Sequence, residues 1–315
     1  MSIISFIIAA YNAEKYIKQC IESCLNCPIQ NKEIILINDG STDKTLEICK
    51  KIQLEQPILK IVNQPNKGVS SARNAGINLA TGDWLLFIDA DDTINSQPLM
   101  EILSSNIIKS KKIELCTFGC NFIFKTRNEV HNTKNSIYST KEFLNTALFQ
   151  LASWNYLFNR NLIINHHIRF PEGIICTEDQ NFNIKALCCS KQIASFNQIV
   201  YNYNCTNSHS ASKKKHSVDW IKSRLESAND ILLFCKQHAI APTLVQNQIK
   251  RLYESYVLDT TTEINLHQKK SFFIEKYKLT TSMLPSFKKN WKFQICYHNF
   301  TIGLLMFYLH KKIHK

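Results

Sequence analysis

Trp84-Leu85-Leu86-Phe87-Ile88-Asp89-Ala90-Asp91-Asp92 is the stretch on which the fold turns. Its first five residues are apolar without alternation, the composition of a strand buried on both faces. Three carboxylates then follow within four residues. Charge gathered where a buried strand surfaces is costly unless something binds it. A divalent cation carrying a phosphate-bearing substrate is a fitting occupant, because hard cations take oxygen ligands. Read without its surroundings, the same cluster is equally a solvated acidic turn, with Asp92 capping the next helix.

The flanking sequence favours the first reading. Strands are predicted at Ile3–Ala9, Glu33–Ile37 and Leu59–Val62, with helices over Glu14–Leu25, around Leu46–Ile52 and over Gly68–Leu79. Ser41 or Thr42 is expected to cap the second helix. Strand–helix alternation with short connections predicts an α/β fold, a mostly parallel sheet with helices on both faces. Ala10-Tyr11-Asn12, Asn38-Asp39-Gly40-Ser41 and Asp89–Asp92 each follow a strand. They should converge on one edge of the sheet, where open α/β folds bind ligands. Beyond Asp92 the pattern changes to a helix over Leu99–Ile108, β-like runs at Ile113–Phe118 and Asn121–Phe124, helices at Glu142–Leu151 and Glu178–Cys188, and a strand at Ile199–Tyr203. From Val218 onward the spacing is helical. A boundary near Ser210–Lys215 gives an α/β domain over 1–212 and a helical C-terminal region over 213–315.

Charge divides the chain in the same way. The net charge is +13, yet residues up to Cys116 hold 12 Lys and Arg against 13 Asp and Glu. The rest is therefore strongly basic and faces anions. Among twelve cysteines, Cys20, Cys24 and Cys27 have a spacing that suggests metal ligation. No second Cys/His pair follows at zinc-site distance, and Cys20 and Cys24 share a helix face, so buried thiols in a reducing cytosol are expected. Ser2–Ala10 lacks the basic start of a secretion signal. No apolar run reaches the ~20 residues that span a bilayer. A cytoplasmic location follows as the expectation. No Gly-x-Gly-x-x-Gly follows a strand, which disfavours a dinucleotide oxidoreductase.

Five segments, in order, resemble the family 2 glycosyltransferases, which have the GT-A fold. Ile7–Glu14 looks like the opening strand and nucleotide loop, and Ile37-Asn38-Asp39-Gly40-Ser41-Thr42-Asp43 like the second loop. Asn66–Gly76 is similar to the segment that closes over the nucleotide, and Asp89–Asp92 to the metal motif. Trp154-Asn155 and Phe170-Pro171-Glu172-Gly173 then precede Glu178-Asp179. One departure is Ala9, where the family usually has proline.

The resemblance implies donor binding by Ala9, Tyr11, Asp39, Asn66, Arg73 and Asp89. Tyr11 would pack beside the nucleoside, Asp39 accept from the uracil ring N–H, and Asp89 hold the ribose. Arg73 offers a charged fork for phosphate or aspartate, or serves as a structural ion pair. Asp91 would ligate Mg²⁺ or Mn²⁺ on the donor diphosphate, with Asp92 assisting and His209 completing the shell. Asp179 would act as catalytic base towards an acceptor hydroxyl, with Glu178 as second candidate; helix-start acids favoured by the dipole are the plainer reading. Trp154 would shape the acceptor pocket or sit in the core.

The implied function is transfer of a sugar, with inversion, from a nucleotide-sugar donor, UDP-hexose or UDP-N-acetylhexosamine, to a hydroxyl of a surface glycan such as capsule or lipopolysaccharide. A degenerate nucleotide- or carbohydrate-binding module and a nucleotidyltransferase are the rivals. The absence of a Gln-x-x-Arg-Trp segment disfavours a processive synthase. Ser286–Lys315 interleaves six lysines with Phe287, Trp291, Phe293, Tyr297, Phe300, Phe307 and Tyr308. Peripheral attachment to an anionic inner membrane face, where a lipid-linked glycan would be the acceptor, is one reading. A terminal helix packed on the body is the other. No nucleic-acid-binding motif accompanies the basic residues.

Overall fold

The computed structural model describes residues 4–110, 112–146, 148–207, 217–259, 266–300 and 303. They divide into two compact units, Met1–Glu172 with Cys189–Lys214, and Gly173–Cys188 with Lys215–Lys315. The segment carrying Glu178 and Asp179 thus packs with the helical C-terminal part, although it lies inside the expected 1–212 domain.

The first unit is built on a mixed sheet. Its strands are β1 (Ile4–Ala10), β2 (Lys32–Asp39), β3 (Leu59–Gln64), β4 (Trp84–Asp89), β5 (Thr93–Ile94), β6 (Leu115–Ile123), β7 (Asn128–His131), β8 (Ser136–Ser139), β9 (Tyr156–Asn159) and β10 (Gln192–Asn204). They order as β3-β2-β1-β4-β9-β6-β10-β5, with β7 on β6 and β8 on β10. The β3-β2-β1-β4 half is parallel. β9 joins it antiparallel to both β4 and β6. The helices are α1 (Ile17–Leu25), α2 (Thr45–Glu55), α3 (Val69–Leu79), α4 (Ser96–Ser104), α5 (Asn106–Lys109), α6 (Thr140–Leu144) and α7 (Arg160–Asn165).

Alternation along β1 explains the layers. Ile4, Phe6 and Ile8 share a core with Ile17, Cys20, Ile21 and Cys24 of α1. Burial of each large side chain contributes about 1.5–3 kcal/mol. Ile7 faces the opposite way, and α3 comes so close that a Cβ on Gly76 would stand 2.3 Å from Ile7 Cγ2. Helices therefore cover both faces, as expected. The cysteines of α1 are core residues; burial pushes the Cys24 thiol up to about 12.

Two runs read as separate strands, Ile113–Phe118 and Asn121–Phe124, are one strand, β6, because Gly119 and Cys120 continue the ladder with β10. The helix expected over Glu142–Leu151 is shorter. It starts at Thr140 behind a Ser139–Glu142 capping box and stops at Leu144.

At the amino edge of the sheet Glu33 is a polar staple. It accepts from Ser5 Oγ (2.6 Å), Lys60 Nζ (2.7 Å), Thr81 N (2.6 Å), Thr81 Oγ1 (2.9 Å) and Gly82 N (3.1 Å). Burial alone would raise its pKa; the hydrogen bonds outweigh it and bring Glu33 down to about 2. A carboxylate depressed by that much contributes about 3 kcal/mol. The sign is that of a lowered acid. The stabilisation is complete above the unfolded value near 4.5 and is lost as pH falls towards 2. Glu33→Gln should therefore lower urea stability at pH 7 by about 2–3 kcal/mol. The deficit should shrink between pH 4.5 and 3; a deficit independent of pH across that window would refute the ionic staple.

The second unit is helical. It contains α8 (Glu178–Cys189), α9 (Val218–Gln237), α10 (Gln246–Asp259), α11 (Leu266–Met283) and α12 (Trp291–His298). Asn181 Nδ2 donates to Ser227 Oγ (3.2 Å) and Asp230 Oδ2 (2.9 Å), and Lys185 pairs with Asp230, which fastens α8 to α9. For the described part of the basic aromatic segment, the structure supplies the packed reading. Phe287, Phe293 and Phe300 are buried. The Phe287 and Phe293 rings stack at 5.1 Å, Phe293 lies 5.5 Å from Tyr253, and Phe300 lies 5.4 Å from Phe273. These aromatics are core, so they are not available for insertion into a lipid interface, whereas Lys288 and Lys289 are exposed. Phe307, Tyr308 and Lys311 to Lys315 lie outside the described residues. Among the described residues no helix is long and apolar enough to cross a membrane.

Candidate functional site

Register brings the three post-strand clusters together. Ala9 pairs with both Ile37 and Asp89, and Ala10 pairs with Asn38. The loops after β1 and β2 are tied to each other. Asn12, at φ 49°, donates its N–H to Ser41 Oγ (3.0 Å) and accepts from Thr42 N (2.9 Å) at Oδ1. Asn tolerates this left-handed conformation better than most residues. Ser41 and Thr42 thus serve the loop and do not cap α2. The free N–H of Thr45 is taken by Asp43 Oδ1 (3.0 Å). Tyr11 remains 51% exposed, a ring presented at the sheet edge.

Asp39 is buried. Its Oδ1 accepts from Gln64 Nε2 (2.7 Å) and Lys67 N (2.9 Å), and its Oδ2 from Gly68 N (2.8 Å). Its observed role is to fold the segment after β3, leaving Asn66 and Lys67 exposed. Gly40 permits that fold. It sits at φ +70°, and a Cβ there would stand 2.6 Å from Asn66 N.

Arg73 is also buried, with Nη2 2.8 Å from Asp89 Oδ1 and its guanidinium over the Phe170 ring at 5.2 Å. Of the two partners open to its fork, the structure supplies the aspartate. The next residue, Asn74, donates to Phe170 O (2.9 Å) and accepts from Phe170 N (2.9 Å).

The three carboxylates of the β4 loop have different surroundings. Asp89 and Asp91 are half-buried; Asp92 is 1% exposed. Asp91 Oδ2 accepts from Asn207 Nδ2 at 2.7 Å. Asp92 Oδ2 accepts from Tyr201 Oη (2.8 Å), and its Oδ1 from Asn204 N (2.7 Å). Burial, then the charges of Asp89 and Asp91, push Asp92 well above the usual carboxylate range. The expectation of Asp92 as assisting metal ligand or helix cap is corrected accordingly. Both its oxygens are committed to β10, and the N-cap position of α4 is Asn95.

Among the described residues no group of three or more His, Cys, Asp or Glu could hold a metal by itself. A divalent ion on a diphosphate needs only one or two carboxylates, with phosphate oxygens supplying the rest. Asp91, flanked by Asp89, fits such a shared site. His209 lies outside the described residues.

Trp154 is 6% exposed, its ring nearly parallel to Tyr201 (4.4 Å, 11°) and Tyr203 (5.4 Å, 21°). That is the core alternative for Trp154; the half-buried rings beside it are Tyr203 and Phe122. In the second unit, Glu178 and Asp179 are half-buried and open α8, following Thr177 at φ 69°. Their carboxylates stand in the first turn, where the helix dipole favours negative charge.

The sequence assigns no role of their own to Asn12, Gln64, Asn74, Tyr201, Asn204 and Asn207, although Asn12 and Asn74 lie in segments it marks. Only their partners mark them, and those partners are distant in the chain. Tyr201 had one local signal, its place on the Ile199–Tyr203 strand.

Residues 5–171 match the family model described as Glycosyl transferase family 2. The putative glycosyltransferase EpsH of Bacillus subtilis (strain 168) is 30% identical over 211 residues, 64% of this chain and 60% of that protein. The chain thus spans about three-fifths of that relative's length. The cholesterol galactosyltransferase of Borreliella burgdorferi is 26% identical over 322 residues, 93% of this chain and 86% of that one. Among solved structures, S. aureus TarS 1-349 superposes with a TM-score of 0.71 at 18% identity, covering 97% of this chain and 89% of that one. The same TarS fragment has been solved with UDP-GlcNAc (TM-score 0.62). The likeness bears out the fold class read from the sequence. With the matched segment running over more than half of its length, from β1 to the Phe170 clamp, the chain belongs to glycosyltransferase family 2.

Proposed function

We propose that this protein is a metal-dependent, inverting glycosyltransferase. It moves a hexose or N-acetylhexosamine from a UDP-sugar to a hydroxyl of a bacterial surface glycan or its lipid-linked precursor. One observation carries this reading. The carboxylates at the end of β4 lie level with the ends of β1 and β2, with Arg73 on Asp89 and Asp91 left half-buried. Family membership supports reading that edge as the donor site. TarS, of the same fold, binds UDP-GlcNAc.

In this reading Tyr11 packs beside the nucleoside, and the segment folded by Asp39 carries Asn66 to the donor. Asp89, fixed by Arg73, accepts from the ribose. Asp91, beside Asp89, would hold Mg²⁺ or Mn²⁺, which when bound would supply Lewis acidity towards the departing diphosphate. Asp179 takes the proton from the attacking hydroxyl, with Glu178 beside it. Direct attack inverts the anomeric carbon. Work on this acceptor takes place at the cytoplasmic face of the membrane, and exposed Lys288 and Lys289 suit an anionic surface there.

A second reading of the acceptor rests on the relative from Borreliella burgdorferi, which matches 93% of this chain. By that reading the acceptor hydroxyl belongs to a lipid.

The test is UDP release by purified protein from a panel of UDP-, GDP-, CMP- and dTDP-sugars, with Mn²⁺ and with EDTA. Slow, EDTA-sensitive release of UDP from one or two donors is the expected outcome. No turnover and no metal-dependent nucleotide binding would instead leave a degenerate binding module.

A further inference from the structure

We infer that Tyr201 is a positioning residue that sets the geometry of the carboxylate loop for its metal-bound donor. The inference rests on the proposed donor site. The sequence presents Tyr201 as one aromatic residue in a strand. The structure gives its hydroxyl two partners in the loop and none by chance of exposure, since the side chain is fully buried. Tyr201 Oη accepts from the backbone N–H of Asp89 at 3.0 Å and donates to Asp92 Oδ2 at 2.8 Å. One oxygen therefore spans both ends of Asp89-Ala90-Asp91-Asp92, with Asp91 between them.

The loop is closed on itself as well, because Asp92 N donates to Asp89 O at 3.0 Å. The same stretch of chain supports the remaining member: Asn204 N holds Asp92 and Asn207 Nδ2 reaches Asp91. The Tyr201 ring has little freedom to move the hydroxyl. It is stacked at 4.4 Å on Trp154, itself buried. A buried hydroxyl with both a donor and an acceptor partner fixes orientation as well as distance. A site of this kind works only when its supporting shell is rigid. Trp154 accordingly acts through Tyr201, which gives the tryptophan a role at the site while it remains in the core.

Tyr201→Phe keeps the ring and removes only the hydroxyl. The experiment titrates UDP binding by calorimetry at a series of Mn²⁺ concentrations and without Mn²⁺. Wild type, Tyr201→Phe and Tyr203→Phe are compared; Tyr203 also stacks on Trp154. The expected result for Tyr201→Phe is a roughly tenfold rise in the Mn²⁺ concentration that half-saturates UDP binding. Metal-free UDP binding should stay within about twofold, and Tyr203→Phe should match wild type. A purely structural role would lower thermal stability without moving the Mn²⁺ midpoint. An unchanged midpoint, or equal weakening of UDP binding with and without Mn²⁺, overturns the inference. If Tyr201→Phe does not fold, Asp92→Asn reads the same loop, and an unmoved midpoint there overturns it too. Absence of Mn²⁺-dependent UDP binding in wild type would overturn both this inference and the proposed donor site.

Discussion

Asp179→Asn should cut the rate of sugar transfer by roughly 10²–10⁴-fold, the usual contribution of a positioned general base. The amide preserves shape and can still hydrogen-bond the acceptor, but it cannot take the proton at neutral pH. Donor binding should change by no more than about twofold, because the role proposed for Asp179 is towards the acceptor hydroxyl. The loss should therefore fall on kcat. Glu178→Gln is the companion variant and should lose less than about tenfold. Stopped assays with acceptor, at fixed Mn²⁺ and saturating donor, measure both. Retention of more than a tenth of the rate by Asp179→Asn, with a large loss in Glu178→Gln, would exchange their roles.

The second large effect is expected at Asp91. Replacement by Asn removes the charge that would anchor the cation while leaving a group of the same size for Asn207. Lewis-acid stabilisation of a leaving group is worth several kcal/mol, so turnover should fall on the order of 10²–10³-fold. Excess Mn²⁺ should restore part of it, because the diphosphate still offers oxygens. Arg73 and Asp89 remain paired in the variant, so UDP binding without metal should persist. A variant with near wild-type turnover and an unchanged response to EDTA would remove Asp91 from the metal shell.

These two aspartates show what the sequence could and could not convey. The run Trp84–Ile88 read correctly as a buried strand, and the clusters after β1, β2 and β4 do meet at one edge, because a parallel sheet leaves them no other place. Within Asp89-Ala90-Asp91-Asp92, however, nothing local distinguishes a carboxylate facing a ligand from one facing the core. Asp92 is assigned to the core by Tyr201 and Asn204, more than a hundred residues away. The same applies to Asp39, whose carboxylate folds the chain after β3, a role visible only once Gln64 and Gly68 come beside it. Glu178 and Asp179 were legible as the start of a helix. Their membership of the second unit was not, since it depends on Asn181 and Lys185 finding Ser227 and Asp230. The aromatic residues at 287–300 left two readings open for a related reason. Composition fits both a membrane face and a core, and only the ring contacts with Tyr253 and Phe273 decide.

The Asn74 clamp has a consequence for the stability of the interior. An amide is the one side-chain group that carries a donor and an acceptor in the arrangement of a peptide. By engaging both the N–H and the C=O of Phe170, Asn74 acts as a strand one residue long. Phe170 is buried, and a buried peptide group is stable only when it is hydrogen-bonded. Here a single side chain bonds both of its polar atoms, and it does so from the helix whose preceding residue, Arg73, holds Asp89. Order around the Phe170 peptide and order at Asp89 are thus supplied by adjacent positions in the sequence.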